Sequence, residues 1–232
     1  VERVLGEGGM GVVVAARHLE LDQRVAVKFL LPEIAKRNDA AERFRREARA
    51  AVKIKSEHVA RVLDVGSNED GVPYMVMEYL EGHDLGDELR ERGQLPIEEA
   101  VRYLLEACEA VAEAHAAGIV HRDLKPSNVF LVEGEARLVK IVDFGLAKAP
   151  SSTGARLTHA GFVAGSPYYV APEQVVDFAG VDGRADVYAL SMIAVRMVAG
   201  RLPYAVDGSN VSNPLLAALN HQRDNPFLAR QV

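Results

Sequence analysis

The chain has 232 residues, 49% of them hydrophobic and 26% charged, which is ordinary for a soluble folded enzyme of one sizeable unit or two small ones. A net charge of −6, from 27 Lys+Arg against 33 Asp+Glu, argues against nucleic acid as a partner. No apolar run reaches the roughly 18 residues of a membrane span, and the single Cys108 cannot close an internal disulfide, which fits a reducing cytoplasmic compartment.

The chain opens on Val1 and Glu2, not Met, and reads as a piece of a longer protein whose termini, with any membrane anchor, lie elsewhere. Near its start, Gly6-Glu7-Gly8-Gly9-Met10-Gly11-Val12-Val13 has the spacing G-x-G-x-x-G-x-V. The same glycines open dinucleotide-binding folds, but there a helix follows the third glycine. Here Val12, Val13 and Val14 follow, and β-branched residues favour a strand. The loop is therefore expected to join two strands, with Gly6, Gly8 and Gly11 letting backbone N–H groups approach phosphate oxygens.

Residues 12–16 and 25–30 read as strands. Lys28 sits in the apolar run Val25-Ala26-Val27-Lys28, where an unpaired ammonium would be costly. It either snorkels to water or clamps phosphate beside a carboxylate. Residues 39–55 form a charged segment with Phe44, Ala48, Ala51 and Val52 at helical spacing. Glu47 on that helix is the natural partner for Lys28, and the arginines and lysines around it are read as an exposed face. Residues 59–65 and 74–79 resume as strands.

From residue 84 the pattern turns helical. Residues 97–117 carry an apolar stripe of Ile97, Val101, Leu104, Leu105, Cys108, Val111 and Ala112, with Pro96 at the start and Gly118 past the end. Residues 129–132 and 138–141 read as a hairpin, 148–161 as a polar, mobile stretch, and 185–199 as a buried helix. The expected architecture is α+β and bilobal: a small antiparallel β lobe with one helix over residues 1–80, and a larger, mainly helical lobe over 81–232. The seam falls near residues 79–84.

Between them lies His121-Arg122-Asp123-Leu124-Lys125-Pro126-Ser127-Asn128, followed by Asp143-Phe144-Gly145 and Ala171-Pro172-Glu173. Phosphoryl transfer asks a protein mainly for positioning and charge neutralisation, and these are residue types that supply both. In this order, with the glycine loop and Lys28, they resemble the eukaryotic-type serine/threonine protein kinases, above all the bacterial members, over essentially the whole chain.

The resemblance implies ATP and Mg²⁺ as cofactors and proteins with Ser or Thr hydroxyls as substrates. Asp123 would orient the incoming hydroxyl, Lys125 would balance charge on the transferring group, and Asn128 and Asp143 would hold Mg²⁺. Met77 is similar to the family residue guarding the back pocket. The backbone of Glu78 and Leu80 would pair with adenine, Asp84 with ribose, and Leu5, Val13, Ala26 and Leu131 would sandwich the purine. Arg122 implies control by phosphorylation of the mobile stretch, with Thr158 the first acceptor and Thr153 and Ser151 behind it, possible self-association for trans-autophosphorylation, and Ser166 shaping the acceptor site. A pseudokinase scaffold is the second reading. A small-molecule kinase would lack the Gly165-Ser166-Pro167 to Glu173 stretch.

Departures from the family pattern are equally specific. Ala160 stands where many members have a second threonine, and Ser191 stands where glycine is usual. The family continues past a further helix expected at 215–221, and one later helix supplies an arginine for the glutamate equivalent to Glu173. Glu173 is therefore expected to lack its partner while partly buried, and the fragment to be less stable than its parent.

Overall fold

The computed structural model describes residues 1–8, 11–35, 40–134, 137–144, 167–178 and 180–203. Gly145, Ser151, Thr153, Thr158, Ala160, Ser166 and the expected helix at 215–221 lie outside them.

The β-branched runs form a five-stranded antiparallel sheet: β1 (Arg3–Glu7), β2 (Gly11–His18), β3 (Gln23–Leu30), β4 (Val62–Ser67) and β5 (Pro73–Glu78), in the order β1-β2-β3-β5-β4. Residues opposite one another across antiparallel strands share a face. The pairs Val13↔Lys28, Lys28↔Met75 and Ala26↔Met77 thus put Val13, Ala26, Lys28, Met75 and Met77 on one side. Val14, Val25 and Val27 form a separate apolar cluster on the other. Gly11 is demanded by packing, since a Cβ there would lie 2.2 Å from the Phe29 carbonyl oxygen. At Gly6 and Gly8 a Cβ meets no described atom within 4 Å, so sheet packing does not select glycine at those two positions.

Between β3 and β4 run α1 (Pro32–Ala35) and α2 (Ala40–Ala51). Phe44 and Ala48 of α2 pack on Leu30 and Met75, as the spacing predicts. The helix ends before Val52, which is exposed. Ile54 and Val59 join the core of the larger lobe instead. The latter residue makes an isolated parallel bridge with Ile141, so pairing in β4 begins three residues later than the sequence suggests.

The larger lobe comprises β6 (Gly82–Asp84), α3 (Leu85–Arg92), α4 (Ile97–Ala116), β7 (Val129–Val132), β8 (Leu138–Ile141), α5 (Pro172–Val176) and α6 (Arg184–Ala199). Its small sheet runs β6-β7-β8. The expected face of α4 is corrected: Ile97, Val101, Leu105 and Cys108 are exposed. The buried face is Ala100, Tyr103, Ala107, Ala110, Val111 and Ala114. Four alanines on that face let α4 lie close against α6 and β8, with Tyr103 and Val111 filling the space between them. On α6, Leu190, Met192, Ile193 and Met197 are buried while Val187, Val195 and Val198 are not, so this helix is half-buried. Ser191 donates to the Val187 carbonyl one turn back (2.8 Å). Glu173 is exposed, which removes the burial penalty expected for an unpartnered carboxylate there.

Candidate active site

Two residues with left-handed backbone mark the site: Arg122 at φ 65° and Asp143 at φ 63°. Such conformations are costly for residues with a Cβ and persist where the surroundings over-determine them. Asp186 in the first turn of α6 does so for Arg122. It is 1% exposed; its Oδ1 accepts the Arg122 N–H, and its Oδ2 accepts the His121 N–H and His115 Nε2, all at 2.8 Å. His121 is fully buried and donates Nε2–H to the Val142 carbonyl (3.0 Å), which leaves Nδ1 to accept the Asp123 N–H (3.2 Å). Its ring also packs edge-on against Phe144, with centroids 4.8 Å apart. The imidazole is thereby neutral and structural, tying the catalytic loop to the strand end that carries Asp143.

The loop's polar side chains converge. Lys125 Nζ donates to Asp123 Oδ2 (2.8 Å), and Asn128 Nδ2 donates to the Asp123 carbonyl (2.7 Å). With its amino group so used, Asn128 keeps its amide oxygen as an acceptor. Across the cleft, Lys28 Nζ lies 2.6 Å from Asp143 Oδ1. Asp143 and Asn128 offer oxygen ligands suited to a hard cation. No cluster of three or more His, Cys, Asp or Glu side chains with metal-binding geometry exists among the described residues. Mg²⁺ fits such a sparse set, because it commonly takes one or two protein oxygens and completes its shell with phosphate and water.

The expected Lys28–Glu47 ion pair is not formed; Lys28 binds Asp143 instead. Burial pushes the Glu47 carboxyl up to about 7, against the opposing fields of Arg43, Arg46, Arg122 and Lys28.

Of the remaining expected residues, Val13, Ala26 and Met77 share the Lys28 face of the sheet. Leu5 lies at the exposed edge of the sheet, and Leu131 is buried in β7 opposite His83. Leu80 falls in the short link between β5 and β6. Asp84 Oδ1 caps α3 by accepting the Asp87 N–H (2.9 Å). The Glu78 side chain takes Lys140 Nζ (2.8 Å) and the Arg61 N–H (2.7 Å). Lys140 was missed, although it stands in an apolar strand, Leu138-Val139-Lys140-Ile141, just as Lys28 does. His115 and Gln174 carry no such signal.

A family model, protein kinase domain, matches residues 1–225. The chain belongs to the protein kinase domain family. This kinase domain is 40% identical over 213 residues to the serine/threonine-protein kinase pkn3 of Myxococcus xanthus, covering 90% of the chain and 39% of that protein. It is 36% identical over 227 residues to PknB of Mycobacterium tuberculosis, covering 97% of the chain and 35% of that protein. The domain thus spans about two fifths or less of these curated relatives. Among solved structures it is similar to the Mycobacterium tuberculosis PknI kinase domain, with TM-score 0.69 and 32% identity over 94% of this chain and 80% of that one. The fold is the bilobal protein kinase fold.

Proposed function

We propose that this kinase domain transfers the γ-phosphoryl group of Mg-ATP to Ser and Thr hydroxyls of proteins, its own chain among them. The observation that carries it is the convergence of Lys28 with Asp143, and of Lys125 and Asn128 with Asp123, at the junction of the two sheets. Lys28 neutralises phosphate charge from above, and Lys125 does so beside the acceptor. Asp123 orients the hydroxyl and receives its proton as the hydroxyl oxygen bonds to the γ-phosphorus and the bond from that phosphorus to the bridging oxygen breaks, releasing ADP. Asn128 and Asp143 are the residues that would hold Mg²⁺, and the ion supplies charge neutralisation of the phosphates.

Adenine pairs with the backbone of Glu78 and Leu80, under Met77 and between Leu5, Val13, Ala26 and Leu131, while Asp84 takes the ribose. Gly6, Gly8 and Gly11 supply the phosphate-facing loop. Glu47 exchanges for Asp143 as the partner of Lys28 when α2 moves inward. Arg122 and Thr158 set the switch, Ser166 shapes the acceptor site, and the domain works in the cytoplasm on protein partners. The direct test incubates the full-length protein with labelled ATP and Mg²⁺ beside an Asp143→Asn control. Label on Ser or Thr in the wild type alone is expected. Equal label in the control, or none in either, contradicts the assignment.

A further inference from the structure

Gln174 lies in α5, immediately after Ala171-Pro172-Glu173, and only 2% of it is exposed. Both ends of its amide are used. Oε1 accepts the Ala171 N–H (2.9 Å), and Nε2 donates to the carbonyl of Arg122 (2.9 Å). That carbonyl belongs to the peptide joining Arg122 to Asp123. The N–H of the same peptide is held by His121 Nδ1 (3.2 Å), and the preceding one, through the Arg122 N–H, by Asp186 Oδ1 (2.8 Å).

The peptide entering Asp123 is thus gripped at both its C=O and its N–H, at a residue whose φ of 65° is unfavourable without such support. Two of the grips come from the catalytic loop's own surroundings, in α6 and His121. The third comes from the segment that carries Ala171. Rotation of this peptide plane would swing the Asp123 side chain, and Gln174 is the group that ties that rotation to the position of Ala171.

We infer that Gln174 is a positioning residue through which the Ala171-Pro172-Glu173 segment, at the end of the stretch expected to shape the acceptor site, sets the orientation of Asp123 and couples acceptor engagement to the reacting geometry. This rests on Asp123 as the acceptor-orienting carboxylate. Replacing the amide by an isosteric carboxyl keeps the acceptor for Ala171 but sets an oxygen against the Arg122 carbonyl, which removes the loop-side bond and adds repulsion, whereas Q174M removes both bonds without adding a charge.

The test measures single-turnover autophosphorylation of the full-length protein against ATP concentration for wild type, Q174E, Q174M and D123N, with a thermal melt of each. Q174E and Q174M are expected to lower the maximal rate at least about tenfold, with half-saturating ATP within about twofold of wild type. A structural role alone would move the melt, or both kinetic constants together. Wild-type maximal rates in both variants, or loss of the folded transition in both, overturn the coupling while leaving the kinase assignment standing. A D123N protein as fast as wild type, or a wild type that takes up no label, overturns the underlying role of Asp123 and the coupling with it.

Discussion

Lys28 shows how far a single residue can be read. An ammonium in the middle of an apolar strand demands a carboxylate, and the partner it has is Asp143 rather than Glu47. Spacing along α2 shows which side Glu47 faces but not how closely the helix approaches the sheet. The consequence is a titrating group in the cleft. Glu47 titrates at about 7 against an ordinary 4.5 because burial disfavours its charge. No penalty exists below pH 4.5, where the carboxyl is protonated in both folded and unfolded chains; it grows as pH rises and is complete above about 7. A Glu47→Gln variant should therefore gain about 2 kcal/mol over wild type at pH 8, allowing for partial exposure, and nothing at pH 4. Denaturant melts at the two pH values check this. Lys140 teaches the complementary lesson: the signal that singled out Lys28 was present there too, but only the fold brings Glu78 within 2.8 Å of it.

For the elements, local propensity located most strands and the three longest helices, while the shorter helices and the buried faces were harder. On α4 both faces are apolar in sequence. The alanine-bearing one is buried because α6 and β8 lie close, and that is a property of the pair of helices rather than of either alone. Ala110→Leu should cost about 1–3 kcal/mol by overpacking, whereas Leu105→Ala on the exposed side should change stability by less than about 0.5 kcal/mol; thermal melts of the two variants distinguish the faces. α3 is fixed differently. Burial disfavours the charge on Glu88, yet hydrogen bonds from Arg92, His83 and Arg137 outweigh it and hold the carboxyl at about 2. A folded-state value below the ordinary 4.5 means stability present above pH 4.5 and lost as pH falls toward 2. Glu88→Gln should thus cost about 1–2 kcal/mol at pH 7, allowing for solvent screening of its partly exposed partners, and the gap from wild type should close on acidification, as urea melts along a pH series would record.

Across the molecule, the two sheets meet through a small set of contacts. Ile141 exchanges backbone hydrogen bonds with the segment before β4, donating to His58 O (2.8 Å) and accepting from Ala60 N (3.0 Å). Lys140 grips Glu78, and Lys28 grips Asp143 two residues beyond β8. The strand that leads to Asp143 is therefore also the strand that joins the lobes. Motif order along the sequence revealed which residues share this junction; it could not reveal that His115 and Gln174 support it, because neither residue type is unusual in a helix. No described helix is long and apolar enough to cross a membrane. The proposed function rests on a pair of oxygen ligands and a lysine that would hold a magnesium-bound triphosphate, and the most direct test is ATP affinity with and without Mg²⁺. Titration of the full-length protein should show affinity falling at least about tenfold when Mg²⁺ is chelated, and Asp143→Asn should abolish that dependence. Equal affinity of the wild type in both conditions, or full Mg²⁺ enhancement in the variant, would contradict it.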